Sequence, residues 1–393
     1  MRPAASITIP LLCLSFLATH CNQNQNQDQF PELRINDRGT VTWKEKGECE
    51  IIYCSEGDSI VIPAHAKFRG SISSRYAKHS YSVEFESKIS FGNIPADDDW
   101  VINANYIDKT FMRHKISYDL FNQMGKLNLA PRCFYLNLVA NKKPKGLYVA
   151  MQEVNAAMVG LVKSDTMAML FKDPPVYFRD SLDFIQDRNN YYQQKYPKKH
   201  ESDKTWYLEE FRDFMFNSPD SMLLADVEKW IELQNLIDWH LLLLFTNNGD
   251  GVMKNFMLYK IDGYTPFRIA LWDYDHSFGR DGGYTLNMME NPVEPERSEL
   301  IKRLMEIPGS GYPEMLRERW WQLKKADILT LHNIEQHIEQ NDRIIREQIP
   351  GNAEIWPLDS KWYDDDNSYD EELQLILDFV TLRVNQLDEY FAE

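Results

Sequence analysis

The sequence is poor in cysteine. Five cysteines in 393 residues exclude a disulfide scaffold. It has no C-x-x-C pair and no H-E-x-x-H, so neither a structural zinc site nor a zinc protease motif is expected. It also lacks a G-x-G-x-x-G loop, the usual backbone cradle for phosphates. Beyond the amino terminus no apolar run reaches the roughly 18 residues of a spanning helix. Positive charge is scarce: 43 basic against 60 acidic side chains leave a formal charge of −17. A general nucleic-acid binder needs a basic face, so that class is set aside and no nucleic acid is expected as a partner. What is abundant is core material. Hydrophobic residues make up 43 % and aromatics 13 %, which excludes wholesale disorder.

The amino terminus has the layout of an export signal. Arg2 is followed by an apolar stretch from Ile7 to Ala18, then Cys21, then the polar tether Asn22–Gln29. A cysteine at that point resembles the acylated cysteine of a bacterial lipoprotein, although Thr19-His20 stands where small residues usually precede it. Residues 1–29 are therefore read as signal peptide and tether. The expected location is outside the cytoplasm, in the cell envelope, with Cys21 as the only membrane anchor. Export permits disulfides, and a Cys49–Cys54 bridge is open on spacing alone.

Residues 30–160 read as strand-rich: Val41–Trp43, Ile51–Tyr53, Ser59–Ile62, Ser80–Phe85, Cys133–Val139 and Gly146–Val154 are β-branched or aromatic runs. Apolar positions at helical spacing occupy 109–124, 204–215 and 221–245, the last apolar almost all round, as for a helix through the core. Residues 172–206 are irregular and charged, an insertion that is either a solvated excursion or a substrate-contacting loop. Two strand-like runs, 255–260 and 267–272, precede a carboxy-terminal part, from 299 on, that is mainly helix. Strands first, then helices in 200–393, predict an α+β chain.

Two acidic blocks flank the later strand pair. Asp250 and Asn255 lie five residues apart in Asn247–Phe256, and Asp273 and Asp275 lie in Leu271-Trp272-Asp273-Tyr274-Asp275. Phosphoryl transfer needs a carboxylate to accept the hydroxyl proton and oxygen ligands for Mg²⁺. Protein kinases space their catalytic-loop Asp and Asn in the same way, and a further Asp after a hairpin holds metal; here Asp273 or Asp275 would fill that place. Asn and Asp also cluster in turns as caps, which is the plain alternative. Upstream, Lys67, Arg69, Arg75 and Lys78 precede a strand, where an anionic ligand or simply solvent would meet them.

Arg69-Gly70-Ser71 followed by Ala77-Lys78-His79-Ser80-Tyr81 resembles the R-G-x-S…P-K-K-S-Y block of the spore coat protein H (CotH) kinase family. Trp100 to His114 is similar to its W-x-L-x-A-x-Y-x-D-K-x-x-x-R-N block, Ala130-Pro131-Arg132 to its next segment, and Gly146–Val154 to G-x-Y-x-x-x-E-x-V. The acidic blocks resemble D-x4-N-F and W-D-x-D-x-x-x-G. The resemblance spans about residues 60 to 285. It implies a degenerate, atypical protein-kinase-like fold that binds ATP with Mg²⁺ or Mn²⁺ and phosphorylates Ser/Thr hydroxyls of envelope or secreted proteins. It implies Asp250 as the catalytic aspartate, Asn255 and Asp273 as metal ligands with Asp275 as a near neighbour, and Lys78 on the phosphates with Arg69 as helper. Glu153 and Arg113 match family blocks, Glu153 orienting a cation or lying near the nucleotide. Two other classes stay in view: an adhesin or envelope scaffold that keeps the fold without turnover, and a carbohydrate-acting hydrolase using the paired acids.

Overall fold

A computed structural model describes residues 30–177, 192–282 and 292–392. The expected signal peptide, tether and Cys21 anchor lie outside the described residues, as does 178–191 of the irregular segment. No helix among the described residues is long and apolar enough to cross a membrane.

The strand-rich part is a closed barrel. Its strands are β1 (Glu32–Asn36), β2 (Gly47–Ser55), β3 (Asp58–Arg69), β4 (Ser80–Ile89), β5 (Asp97–Asn103), β6 (Cys133–Ala140) and β7 (Lys143–Gln152). They run in the order β1-β2-β3-β4-β5-β7-β6, and a parallel β1–β6 pairing closes the ring. Alternation sets its inside. Ile62, Ala64 and Ala66 of β3 and Tyr81, Val83 and Phe85 of β4 point inward to meet Trp100 and Phe91. The Phe91 and Trp100 rings pack edge to face at 4.6 Å. Cys49 and Cys54 lie five residues apart on β2, roughly 16 Å along an extended strand, far beyond disulfide reach. The bridge left open by spacing does not exist.

Helix α1 (Arg113–Met124) joins the barrel to the rest. A second sheet has the order β11-β10-β8-β9, built from β8 (Met169–Lys172), β9 (Gln194–Tyr196), β10 (Phe256–Lys260) and β11 (Arg268–Leu271). The irregular segment therefore contributes β9 to this sheet. Against it pack α2 (Thr205–Asn217), α3 (Asp220–Trp230) and α4 (Leu233–Thr246). The sequence suggests one helix over 221–245, but the chain breaks at Ile231, which bridges Phe267 in extended form while Glu232 N–H donates to the Phe267 carbonyl at 2.8 Å. Helix α4 is buried nearly all round, from Leu236 to Phe245. The remaining helices are α5 (Glu299–Glu306), α6 (Tyr312–Lys325), α7 (Leu331–Ile345), α8 (Ile349–Ile355) and α9 (Tyr369–Tyr390). Ser368 and Glu371 form a capping box that starts α9.

A buried ion network fastens α9 to α1. Arg113 Nη1 donates to Asp108 Oδ1 at 2.7 Å and Nη2 to Glu372 Oε2 at 3.1 Å. Arg280 binds the same Glu372 and also Asp365, while Lys109 pairs with Asp365 at 2.8 Å. Arg113 Nε donates to the Ser277 carbonyl at 3.1 Å, so the network also pins the loop that follows β11.

Candidate active site

Helix α4 ends when Asn247 turns left-handed at φ 55°. The Asn248 side chain accepts from Gly251 N–H at 2.9 Å, shaping the single turn that carries Asp250. A Cβ on Gly251 would meet Leu243 Cδ2 at 2.6 Å, so a larger residue here would have to displace that side chain for the turn to sit on the helix. Asn255 follows with φ 65°, held by Asp173, whose Oδ1 accepts from Asn255 N–H at 2.7 Å and Phe256 N–H at 3.3 Å. The hairpin β10–β11 then returns the chain. Trp272 N–H donates to the Asn255 carbonyl at 3.0 Å, which sets Asp273 beside Asn255. Asp273 is itself left-handed, φ 58°, and its N–H is held by the Tyr118 hydroxyl at 2.8 Å.

Asp250, Asn255, Asp273 and Asp275 line one cavity of about 180 Å³, with Lys254 and His276. Asp250 faces Lys254 at 3.0 Å and His276 Nδ1 at 3.9 Å. Asp281 holds that same His276 nitrogen at 2.7 Å. Burial works against charge on His276, but Asp275, Asp281 and Asp250 outweigh it and push its pKa up to about 9. Asp273 opens to solvent, its side chain 56 % exposed. Close packing favours its neutral form, yet His114, Lys172 and Arg69 together hold its carboxyl well below the usual range. Burial and the neighbouring Asp273 push Asp275 the other way. Two carboxylates in one site have thus been driven apart, as like charges require.

Asp273 also lies on the edge of a larger cleft of about 990 Å³ between the barrel mouth and the second sheet. Arg69 and Glu153 line it. So do Lys172 and Lys195, which the sequence does not single out. Arg69 and Lys172 sit over the Trp272 ring at 4.9 and 5.5 Å. Packing lowers the Lys195 pKa, and Lys172, Lys198 and Arg69 lower it further while Glu153 opposes them, a sign of cations crowded more closely than Glu153 offsets.

Lys78 also borders the small cavity, but its ammonium is engaged by other groups. It is buried, and its ammonium donates to the carbonyls of Ala104, at 2.8 Å, and Leu147, and to Asn352 Oδ1 at 3.1 Å. Three acceptors use its three protons. The group therefore ties the barrel to α8 and has no donor left for phosphate. Burial without a counter-charge holds its pKa well below that of a free lysine.

His114 has no role assigned from sequence. It is 1 % exposed, and its Nε2 lies 3.4 Å from Asp273 Oδ1. His114, Asp273 and Asp275 are the group of three potential metal donors found together among the described residues, with ligand atoms within 4.8 Å of one another. Its signal in the sequence is position alone, directly after Arg113.

The model of a family described as CotH kinase protein matches residues 66–387. Inner spore coat protein H of Bacillus subtilis (strain 168) is 26 % identical over 216 residues, 54 % of this chain. The chain spans 58 % of that relative's length. A crystal structure of the Golgi casein kinase with Mn/ADP bound aligns over 84 % of this chain and 74 % of its own, at 12 % identity and a TM-score of 0.23. That likeness is too slight to carry an argument.

Proposed function

The chain belongs to the CotH kinase protein family, and from that premise we propose that it is a metal- and ATP-dependent phosphotransferase. In this reading it moves the γ-phosphoryl group to Ser or Thr hydroxyls of envelope or secreted proteins, and it works outside the cytoplasm, tethered through Cys21. One observation supports the reading above others. Asp273 belongs to both the cationic cleft and the small acidic cavity, so a phosphate chain in the first would end where the second begins.

The donor chemistry fits a divalent ion. Asp273 and Asp275 offer carboxylate oxygens and Asn255 an amide oxygen, the hard donors that Mg²⁺ and Mn²⁺ take. When bound, such an ion screens the charge of the phosphates. The chain's own groups do the rest. Arg69, Lys172 and Lys195 bind and orient the phosphates with charge-assisted hydrogen bonds. Asp250 lies in the small cavity, where an acceptor hydroxyl would enter. As the hydroxyl oxygen forms its bond to the γ-phosphorus and the bond to ADP breaks, the proton passes to Asp250. Lys254, 3.0 Å away, holds that carboxylate in place until then.

The test is label transfer from γ-labelled ATP to a generic acceptor protein in Mg²⁺ or Mn²⁺. Transfer is expected from the wild type and lost in folded Asp250→Asn and Asp273→Asn. Absence of transfer together with absence of ATP-dependent thermal stabilisation would leave the envelope-scaffold reading in its place.

A further inference from the structure

We propose that His114 supplies a nitrogen ligand to the cation held by Asp273 and Asp275, so that the site prefers Mn²⁺ and its transition-metal neighbours to Mg²⁺. The inference deepens the phosphotransfer reading and shares with it only the cation site.

Three observations carry it. The donor atoms of His114, Asp273 and Asp275 lie within 4.8 Å of one another. Ligands about 2.1 Å from one ion are at most roughly 4.2 Å apart, so a shift of a few tenths of an ångström would close the set. The imidazole is also unspent. It is 1 % exposed, its Nδ1 has no hydrogen-bond partner among the described residues, and its Nε2 meets only Asp273, at 3.4 Å. That distance is long for a hydrogen bond, and a buried polar group left so poorly paired points to a missing ion or water. Finally, the neighbouring imidazole is committed. His276 gives Nδ1 to Asp281 at 2.7 Å, and its Nε2 stays 3.9 Å from Asp275.

Metal choice follows from ligand chemistry. Mg²⁺ favours a set made only of oxygens, whereas an imidazole nitrogen raises affinity along the series from Mn²⁺ through Co²⁺.

The experiment uses the full chain and Mn²⁺ alone, without nucleotide. Electron spin-echo modulation of the bound Mn²⁺ should show coupling to a ¹⁴N nucleus. The coupling should vanish in His114→Asn and persist in His276→Asn. Calorimetry should show Mn²⁺ bound at least about tenfold more weakly by His114→Asn, since even ligand-supporting residues change affinity by 10–100-fold, with Mg²⁺ affinity little changed. Absence of ¹⁴N coupling in the wild type, or its survival in His114→Asn, overturns the proposal. The wild-type spectrum decides even if the variant fails to fold. Failure of the kinase reading looks different: Mn²⁺ held through nitrogen with no label transfer at all.

Discussion

Replacing Arg113 with methionine should destabilise the protein more than any single change at the cleft surface. The guanidinium is fully buried, and both acids it pairs with, Asp108 and Glu372, are fully buried as well. Methionine fills similar space but removes three donated hydrogen bonds, to Asp108, Glu372 and the Ser277 carbonyl. Breaking a buried pair by deleting one partner costs about 3–5 kcal/mol, because the remaining charge stays desolvated. Here the orphaned acids keep some support. Asp108 still accepts from Thr110 and from the residue-113 N–H, and Glu372 still holds Arg280 and Asn367. The lower end, about 3 kcal/mol, is therefore expected. Urea unfolding followed by tryptophan fluorescence measures it. Adding Asp108→Asn to Arg113→Met should cost less than Asp108→Asn does alone, by about 1–3 kcal/mol, because the two side chains share one network. A loss below about 1 kcal/mol for Arg113→Met, or additive effects in the pair, would refute the view that these charges act as one buried unit.

Other consequences are as specific. Arg69→Ala and Lys172→Ala should each weaken ATP binding by about 10–100-fold, the worth of one charge-assisted hydrogen bond, and calorimetry at two salt concentrations should show smaller salt dependence for each variant. Lys78→Met should leave nucleotide affinity unchanged, because its ammonium is spent on Ala104, Leu147 and Asn352. It should instead alter alkaline stability. A lysine whose folded pKa is depressed lets wild-type stability rise as pH climbs through the folded value towards about 10.4, and the variant should lack that rise in a pH series of melting temperatures. At the acid end, close packing opposes ionisation of Asp365, but Lys109 and Arg280 hold its pKa down to about 2. Its contribution is complete above the unfolded value near 3.9 and is lost as pH falls through about 2. Asp365→Asn should accordingly flatten the decline of melting temperature between those pH values.

The elements most legible in the sequence are those whose signal is local. The runs in β2, β3, β4, β6 and β7 are alternating β-branched and aromatic residues, and α4 shows its burial directly in Leu236–Phe245. Asp250, Asn255 and Asp273 fall in short blocks joined by one hairpin, so their meeting depends on only about 25 residues of chain. Lys78 shows the opposite case. Whether its ammonium meets phosphate or backbone depends on Asn352, in a helix 274 residues later. The partners of Arg113 are equally remote, Glu372 lying 259 residues away. Lys172 and Lys195 hide in a charged stretch whose local reading is surface loop, and only pairing between β8 and β9 brings them to the cleft. His114 is silent for a further reason: a lone buried histidine has no pattern until the carboxylates of Asp273 and Asp275 are folded beside it.

The most direct measurement of the central claim is a crystal structure with Mn²⁺ and a non-hydrolysable ATP analogue, read from the anomalous signal of the metal. The account predicts a manganese peak against Asp273 and Asp275, with the phosphates of the analogue among Arg69, Lys172 and Lys195 and its terminal phosphate directed at Asp250. A nucleotide seated instead in the apolar cavity of about 310 Å³ beside Lys78 and Trp356, or a metal bound away from Asp273, would contradict it.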